Sequence, residues 1–144
     1  MAMTTLSHER AGVARLHLGL TEKFEELLKA ARARGPVTDK VHRDRLAALY
    51  SEIACMRYST TLELSKIGRG GQPSATMGSL AKLSWAHCDQ ELAALAVDLI
   101  GMDTLVNADF WGDNLLAVRQ ASIAGGTTEI NKNIVGEHVL GLPR

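Results

Sequence analysis

Apolar residues recur at helical spacing in three long stretches of the chain. Within each stretch they fall three and four residues apart, which is typical of a helix that buries one face. Alternating β-branched runs, the mark of a half-buried strand, do not occur in the sequence. The pattern therefore predicts three long amphipathic helices, from Ser7 to about Ala33, from Thr38 or Asp39 to Gly68, and from Ser74 to near Gly101.

The last third of the chain predicts shorter elements. We expect residues 102–112 to be irregular, with Phe110 and Trp111 closing one end of the fold, and a fourth helix over 113–120. A glycine-rich loop and a terminal helix follow, and Gly141 with Pro143 would end that helix. Because amphipathic helices cannot bury their faces alone, the predicted fold is all-α. It is an antiparallel up-down, four-helix-bundle-like arrangement with a short extra C-terminal helix.

Composition narrows the classes of protein. The chain has 144 residues, which suits one domain, with 46% hydrophobic and 22% charged residues and a formal net charge of zero. That balance does not favour nucleic acid or an anionic membrane as a partner. No signal peptide or membrane-spanning run is recognisable, so we expect a cytoplasmic protein. Residues 1–5 are interpreted as a start or tail, and residues 6–144 as the domain.

Cysteines and histidines suggest no metal or redox centre. Cys55 and Cys88 lie at apolar positions of predicted helices and lack a CxxC pattern, so we expect reduced thiols in the core. The five histidines show no ligand spacing. The prediction is therefore a protein without a bound metal.

The loop at Gly125 and Gly126 is the strongest candidate site. Glycine permits unusual dihedrals and close approach of a ligand, and Thr127 or Thr128 can cap the helix that follows. Glu129 adds negative charge where the helix dipole favours it. A helix start of this kind can seat a phosphate or a ring edge, but it can equally be an ordinary helix-start turn.

Two segments carry a resemblance to a known family. The sequence Ile-Ala-Gly-Gly-Thr-Thr-Glu-Ile at 123–130, with Val-Leu-Gly-Leu-Pro-Arg at 139–144, resembles the C-terminal signature of flavin-dependent acyl-CoA dehydrogenases. Leu-Ser-His-Glu-Arg at 6–10 agrees with it. The resemblance implies that the chain is that family's C-terminal helical domain, without its N-terminal helical and middle β-domains. It also implies FAD, an acyl-CoA substrate, an electron-transfer acceptor protein and a homo-oligomer, either dimer or tetramer.

The resemblance also implies roles for individual residues. Most of the family carries its catalytic glutamate where this chain has Gly125, whereas a minority carries it on the first helix, just before an arginine. Glu9 is therefore the expected base and Arg10 the contact to the CoA side. Either residue could also simply be solvated, or Arg10 could pair within the bundle. Gly125 is expected at the substrate, and the flavin contacts are expected at Gly126, Thr127, Thr128 and Glu129.

The chain also departs from the family pattern. The arginine and phenylalanine that reach a partner's FAD are replaced by Ala-Arg-Ala-Arg-Gly-Pro at 31–36. A glutamine-glycine motif for the FAD diphosphate is replaced by Asp-Leu-Ile-Gly-Met-Asp-Thr at 98–104, where Asp98 would repel a diphosphate. Arg32, Arg34 or Arg43 could take over that contact. The alternative interpretation is a non-catalytic subunit or assembly module that pairs with a related, active dehydrogenase subunit.

Overall fold

The computed structural model describes residues 15–72, 74, 76–106 and 110–143. Within these ranges the chain forms six α-helices and one 3₁₀ helix and contains no strand. The α-helices are α1 (Leu16–Ala33), α2 (Lys40–Gly68), α3 (Met77–Ile100), α4 (Asp103–Val106), α5 (Phe110–Ala117) and α6 (Thr128–His138). The 3₁₀ helix, Val118–Ser122, continues directly from α5.

Side-chain bonds between the helices give their directions. Lys23 of α1 bonds Asp89 in the middle of α3, and Arg34, just after α1, bonds Asp103, just after α3, so these two helices run the same way. Arg45, early in α2, bonds Asp98, late in α3, so α2 runs in the opposite direction.

The fourth arm of the bundle is α5 together with the 3₁₀ helix. Asn114 shares Lys23 with Asp89, whereas Ala121 bonds Lys82 near the start of α3, so this arm also runs opposite to α3. The result is an up-down-up-down bundle with α6 added at its C-terminal end. The predicted fold class is confirmed.

Helix α3 lies at the centre of the fold and contacts every other helix of the described chain. It is apolar around much of its circumference, as expected for a helix that is covered on several sides. Alanines at 86, 93 and 96 are almost completely buried and let neighbouring backbones approach closely. The core cluster combines residues of α1, α2, α3 and α5: Leu20, Phe24, Leu27, Leu46, Leu49, Ile53, Met56, Cys88, Leu92, Leu95, Ala96, Ile100 and Trp111.

The boundaries of the long helices largely follow the prediction. Helix α1 ends at Ala33 and α2 at Gly68, and Asp39 caps α2 by accepting hydrogen bonds from the N–H groups of Val41 and His42. The predicted helix start at Ser7 lies outside the described residues, as does the proposed tail. Helix α3 begins at Met77 rather than Ser74, because the Ser74 hydroxyl accepts the Met77 N–H at 3.3 Å from outside the helix.

The prediction of an irregular 102–112 segment is wrong in part. Gly101, at a φ of 85°, ends α3, and the Thr104 hydroxyl then donates to the Gly101 carbonyl at 2.7 Å, which starts α4. Helix α5 begins at Phe110, three residues earlier than expected, and tightens into the 3₁₀ helix after Ala117. Trp111 is buried in the core, whereas Phe110 is exposed, so the prediction that both residues close one end of the fold is wrong for Phe110.

The two cysteines differ in their environment. Cys88 is buried, its thiol donates to the Glu52 carboxylate at 3.3 Å, and burial raises the pKa of the thiol, so it is an inert core residue as predicted. Cys55 is exposed, so its predicted core position is wrong. It follows the buried Ile53 by two residues, which turns it to the outer side of α2.

Truncation of Leu92 to alanine is expected to lower the free energy of unfolding by about 2–5 kcal/mol, because it opens a cavity where α3 meets the core. The side chain is 0% exposed. The matched control is Leu62→Ala on α2, where the side chain is 71% exposed. This control should change the free energy by less than about 0.5 kcal/mol in urea unfolding. Equal losses in the two variants would contradict the assigned core.

Candidate functional site

The glycine loop connects the end of the 3₁₀ helix to the start of α6. The N–H groups of Ile123 and Ala124 both donate to the Gln120 carbonyl, which closes the 3₁₀ helix. Gly125 and Gly126 then take φ values of 69° and 98°, a region that side chains with a Cβ rarely occupy. The two glycines are therefore required by the backbone path, and they leave one side of the loop without side chains.

Thr127 starts the terminal helix. Its backbone is extended, and its hydroxyl accepts the Ile130 N–H at 3.3 Å, so Thr127, not Thr128, is the N-cap. Thr128 is the first helical residue. The hydroxyl cap expected at this helix start is therefore supplied by Thr127, the residue directly after the two glycines.

Asn131 fixes the loop from inside, and sequence reasoning missed it. Its side-chain amide donates to the carbonyls of Gly126 and Thr127 at 2.9 and 3.0 Å, and the residue is buried. An added Cβ on Gly126 would lie 3.2 Å from the Asn131 amide nitrogen. An asparagine in the first turns of a predicted helix was the only available signal, because its partners are decided by the folded loop.

Glu129 lies on the exposed side of the loop. Its own backbone N–H, the Thr127 hydroxyl and the charge of Lys132 all lower the pKa of its carboxyl group. A carboxylate with a lowered pKa is a weaker base, so Glu129 suits an electrostatic contact better than proton removal from carbon.

Lys82 of α3 is the other residue that sequence reasoning missed. Its ammonium is buried and donates to the Ala121 carbonyl, and it lies over the Trp85 ring at 5.4 Å. The Cε atom is 3.6 Å from the position that a Cβ on Gly125 would occupy. Burial lowers the pKa of this ammonium. Trp85 is partly buried and packs against the core cluster.

The predicted site residues fall into two groups. Gly125, Gly126, Thr127, Thr128 and Glu129 form one continuous surface at the start of α6. Glu9 and Arg10 lie outside the described residues, so their roles stay predictions.

A second feature lies where α1 turns into α2. A cavity of about 220 Å³ is lined there by residues 34–39, His42, Asp98 and Leu99, among others. Two arginines near this corner are already paired: Arg34 bonds Asp103 at 2.6 Å, and Arg45 bonds Asp98 at 2.6 Å and Glu91 at 3.2 Å. The charges of these two arginines are thus neutralised within the bundle.

Within the part of the chain that the structure describes, no three metal-ligating side chains come together. Across the same residues, no helix combines the length and the apolar character that crossing a bilayer requires.

Comparison with known proteins finds relatives that match nearly the whole chain. The sequence profile of the "Acyl-CoA dehydrogenase, C-terminal domain" family matches residues 1–140. The protein named acyl-CoA dehydrogenase IpdE1 is 35% identical in Mycolicibacterium smegmatis and 34% identical in Mycobacterium tuberculosis, each over 100% of this chain. A solved structure named "Tcur3481-Tcur3483 steroid ACAD G363A variant" matches 99% of this chain with a TM-score of 0.79 at 22% identity, which shows the fold.

These matches define the class of protein. The chain belongs to the acyl-CoA dehydrogenase family and corresponds to its C-terminal helical domain. It spans 36% and 38% of the length of the two IpdE1 proteins and 40% of the solved chain. FAD is the general cofactor of this family.

The two regions differ in how well they would suit FAD. The glycine loop fits a flat ring, because neither glycine carries a Cβ and Gly125 is exposed. The corner at Asp98 does not fit a diphosphate: Asp39, Asp98 and Asp103 gather there, and Arg34 and Arg45 already serve carboxylates. Of the arginines predicted to replace the missing glutamine-glycine motif, Arg34 is therefore engaged, whereas Arg32 and Arg43 are exposed and their role stays a prediction.

Replacing Thr127 by alanine is expected to destabilise α6 by about 1 kcal/mol, because the Ile130 N–H loses its cap. The pKa of the Glu129 carboxyl should rise toward its ordinary value, since the Thr127 hydroxyl is one cause of its lowering. NMR titration of the Glu129 side chain and amide exchange in α6 measure both effects. Thr128→Ala is the control and should change neither; a matching response in both variants would contradict the assigned cap.

Proposed function

We propose that this chain is the C-terminal domain of an FAD-dependent dehydrogenase that oxidises an acyl-CoA thioester to the 2,3-enoyl-CoA. Family membership supports the reaction class, and the observation that carries the proposal is the loop at Gly125 and Gly126. Both glycines have positive φ values, and the capped helix α6 follows directly. The loop thereby offers an open backbone surface together with a helix N-terminus, which suits an electron-rich ligand.

Each loop residue has a proposed task. The flavin would meet Gly126, Thr127, Thr128 and Glu129, and the thioester would lie beside Gly125, where a side chain would obstruct it. FAD supplies the hydride acceptor when it is bound. The residues of this chain orient the substrate and accept its proton.

Removal of the thioester α-proton needs a carboxylate. Gly125 has none, and the lowered pKa of Glu129 makes that exposed residue a poor base. We therefore propose Glu9 as the base and Arg10 as the contact to the CoA side of the substrate.

The remaining proposals concern partners. The chain spans less than half the length of its relatives, so we expect the isolated chain to be inactive toward acyl-CoA, because turnover needs a further domain to cover the flavin's other face. A dimer or tetramer, an electron-transfer acceptor protein and a cytoplasmic location are proposed from the family.

A second function is favoured by the corner at Asp98. The pairing of Arg45 with Asp98 leaves that corner unsuited to a diphosphate, as expected if the chain has lost part of a cofactor site. The solved structure of the same fold is named for a pair of designations, Tcur3481 and Tcur3483. The alternative is therefore a non-catalytic subunit or assembly module that supports a related, active dehydrogenase subunit.

Glu9→Gln, in an enzyme reconstituted from this chain and the missing domains, is expected to lower turnover about 10²–10⁴-fold, because a general base contributes on that order. Turnover is measured by dye reduction with straight-chain, branched-chain and steroid-derived acyl-CoA. The control is Glu25→Gln, which removes an exposed carboxylate of α1 that has no assigned role and should keep turnover close to that of the unaltered enzyme.

Two results would count against the proposal. Turnover of Glu9→Gln within about a factor of two of the unaltered enzyme would exclude Glu9 as the base and favour the non-catalytic subunit. Dye reduction by the isolated chain would contradict its expected dependence on further domains.

A further inference from the structure

Lys82 is a buried charge that the proposed chemistry does not yet use. Its exposed fraction is 7%, and an ammonium withdrawn from water must be compensated by close partners. The described residues supply two: the Ala121 carbonyl, which accepts a hydrogen bond, and the Trp85 ring, whose centre is 5.4 Å from the ammonium. Removing this ammonium from water costs free energy. Its burial is therefore better explained by the segment of chain that Lys82 holds in place than by a net gain in stability.

The Ala121 carbonyl needs a partner from outside its own helix. The Ala124 N–H, three residues further on, donates instead to the Gln120 carbonyl, as does the Ile123 N–H. The last carbonyls of a helix require other donors, and a cation is favoured at that end. Lys82 therefore caps the 3₁₀ helix from α3.

The same side chain also lies under the glycine loop. Its Cε atom is 3.6 Å from the position of a Cβ on Gly125, which is ordinary van der Waals contact. Asn131 holds the other end of the loop through the carbonyls of Gly126 and Thr127. The turn from Ala121 to Thr127 is thus attached to α3 at one end and to α6 at the other.

We propose that Lys82 is a positioning residue: its bond to Ala121 and its contact beneath Gly125 hold the glycine loop at the height above α3 where the flavin and thioester would meet it. The functional part of this inference rests on the proposed function. Lys82 acts through the loop and is not assigned to the reacting atoms.

The decisive experiment is amide hydrogen exchange in Lys82→Met. Methionine fills much of the same space but cannot donate to Ala121. The amides of Ile123 and Ala124 are expected to exchange about tenfold faster, the size expected when a hydrogen bond from a charged donor is lost. The amides of Leu92 and Leu95 in the same sample should keep their protection. Equal acceleration at both places, or none in the loop, would overturn the proposal.

Two further variants separate position from charge. Lys132→Met removes an exposed lysine from α6, near the loop, and should leave the exchange of Ile123 and Ala124 unchanged. Lys82→Arg keeps a cationic donor and should restore most of the lost protection. Acceleration by Lys132→Met equal to that by Lys82→Met would show a general charge effect and would contradict the proposal.

The unaltered chain provides a test that does not depend on the folding of a variant. NMR should detect a slowly exchanging Lys82 ammonium with scalar coupling from its nitrogen to the Ala121 carbonyl carbon across the hydrogen bond. An ammonium that exchanges as fast as that of Lys132, with no coupling, would refute the anchor.

Binding of FAD separates this inference from the proposed function. If the chain binds FAD, Lys82→Met should weaken the affinity about tenfold at a temperature where it is folded, and Lys132→Met should not. Faster loop exchange with unchanged affinity would overturn the positioning role. If the unaltered chain binds no FAD, the chain alone does not form the proposed flavin site. Amide exchange in the loop then still tests whether Lys82 anchors the loop.

Discussion

Burial of α3 on several sides is the constraint on which the rest of the structure depends. Alanines at 86, 93 and 96 let the other helices approach its backbone, and Leu92 and Leu95 are fully enclosed where they meet. The candidate site depends on the same helix, because Lys82, near its start, lies beneath the glycine loop and over the Trp85 ring. A disturbance of α3 would therefore be expected to affect both the stability of the bundle and the position of the loop.

Charge is distributed differently at the two regions of interest. At the glycine loop one buried ammonium is matched with a backbone carbonyl, and the surface above it consists of glycine backbone and the start of α6. At the corner after α1, Arg34 and Arg45 are paired with carboxylates, which engages both guanidinium groups within the bundle. This difference supports a flavin contact at the loop, and it is also the reason that a partner subunit with a complete cofactor site is a serious alternative.

The sequence predicted what depends on local pattern and failed where tertiary contacts decide. Periodicity located the three long helices, and Thr127 acts as the cap that its chemistry suggested. Cys55 has an apolar helical position but faces outward, since one residue at that spacing cannot reveal which side the core will cover. Lys82 and Asn131 were missed because their partners, Ala121 and Gly126, are distant in sequence or belong to a loop that only the fold shapes. The roles of Glu9 and Arg10 stay predictions.

The central claim is that the glycine loop forms part of the flavin-binding site. Its most direct test is a titration of the purified chain with FAD, followed by flavin fluorescence and anisotropy. Gly126→Ala is measured beside it. Its φ of 98° and the 3.2 Å approach of a Cβ to Asn131 would force the loop to shift. We predict saturable binding at micromolar FAD, weakened about tenfold by the substitution, as 1–2 kcal/mol of left-handed backbone strain implies. Saturable binding that Gly126→Ala leaves unchanged would contradict the claim.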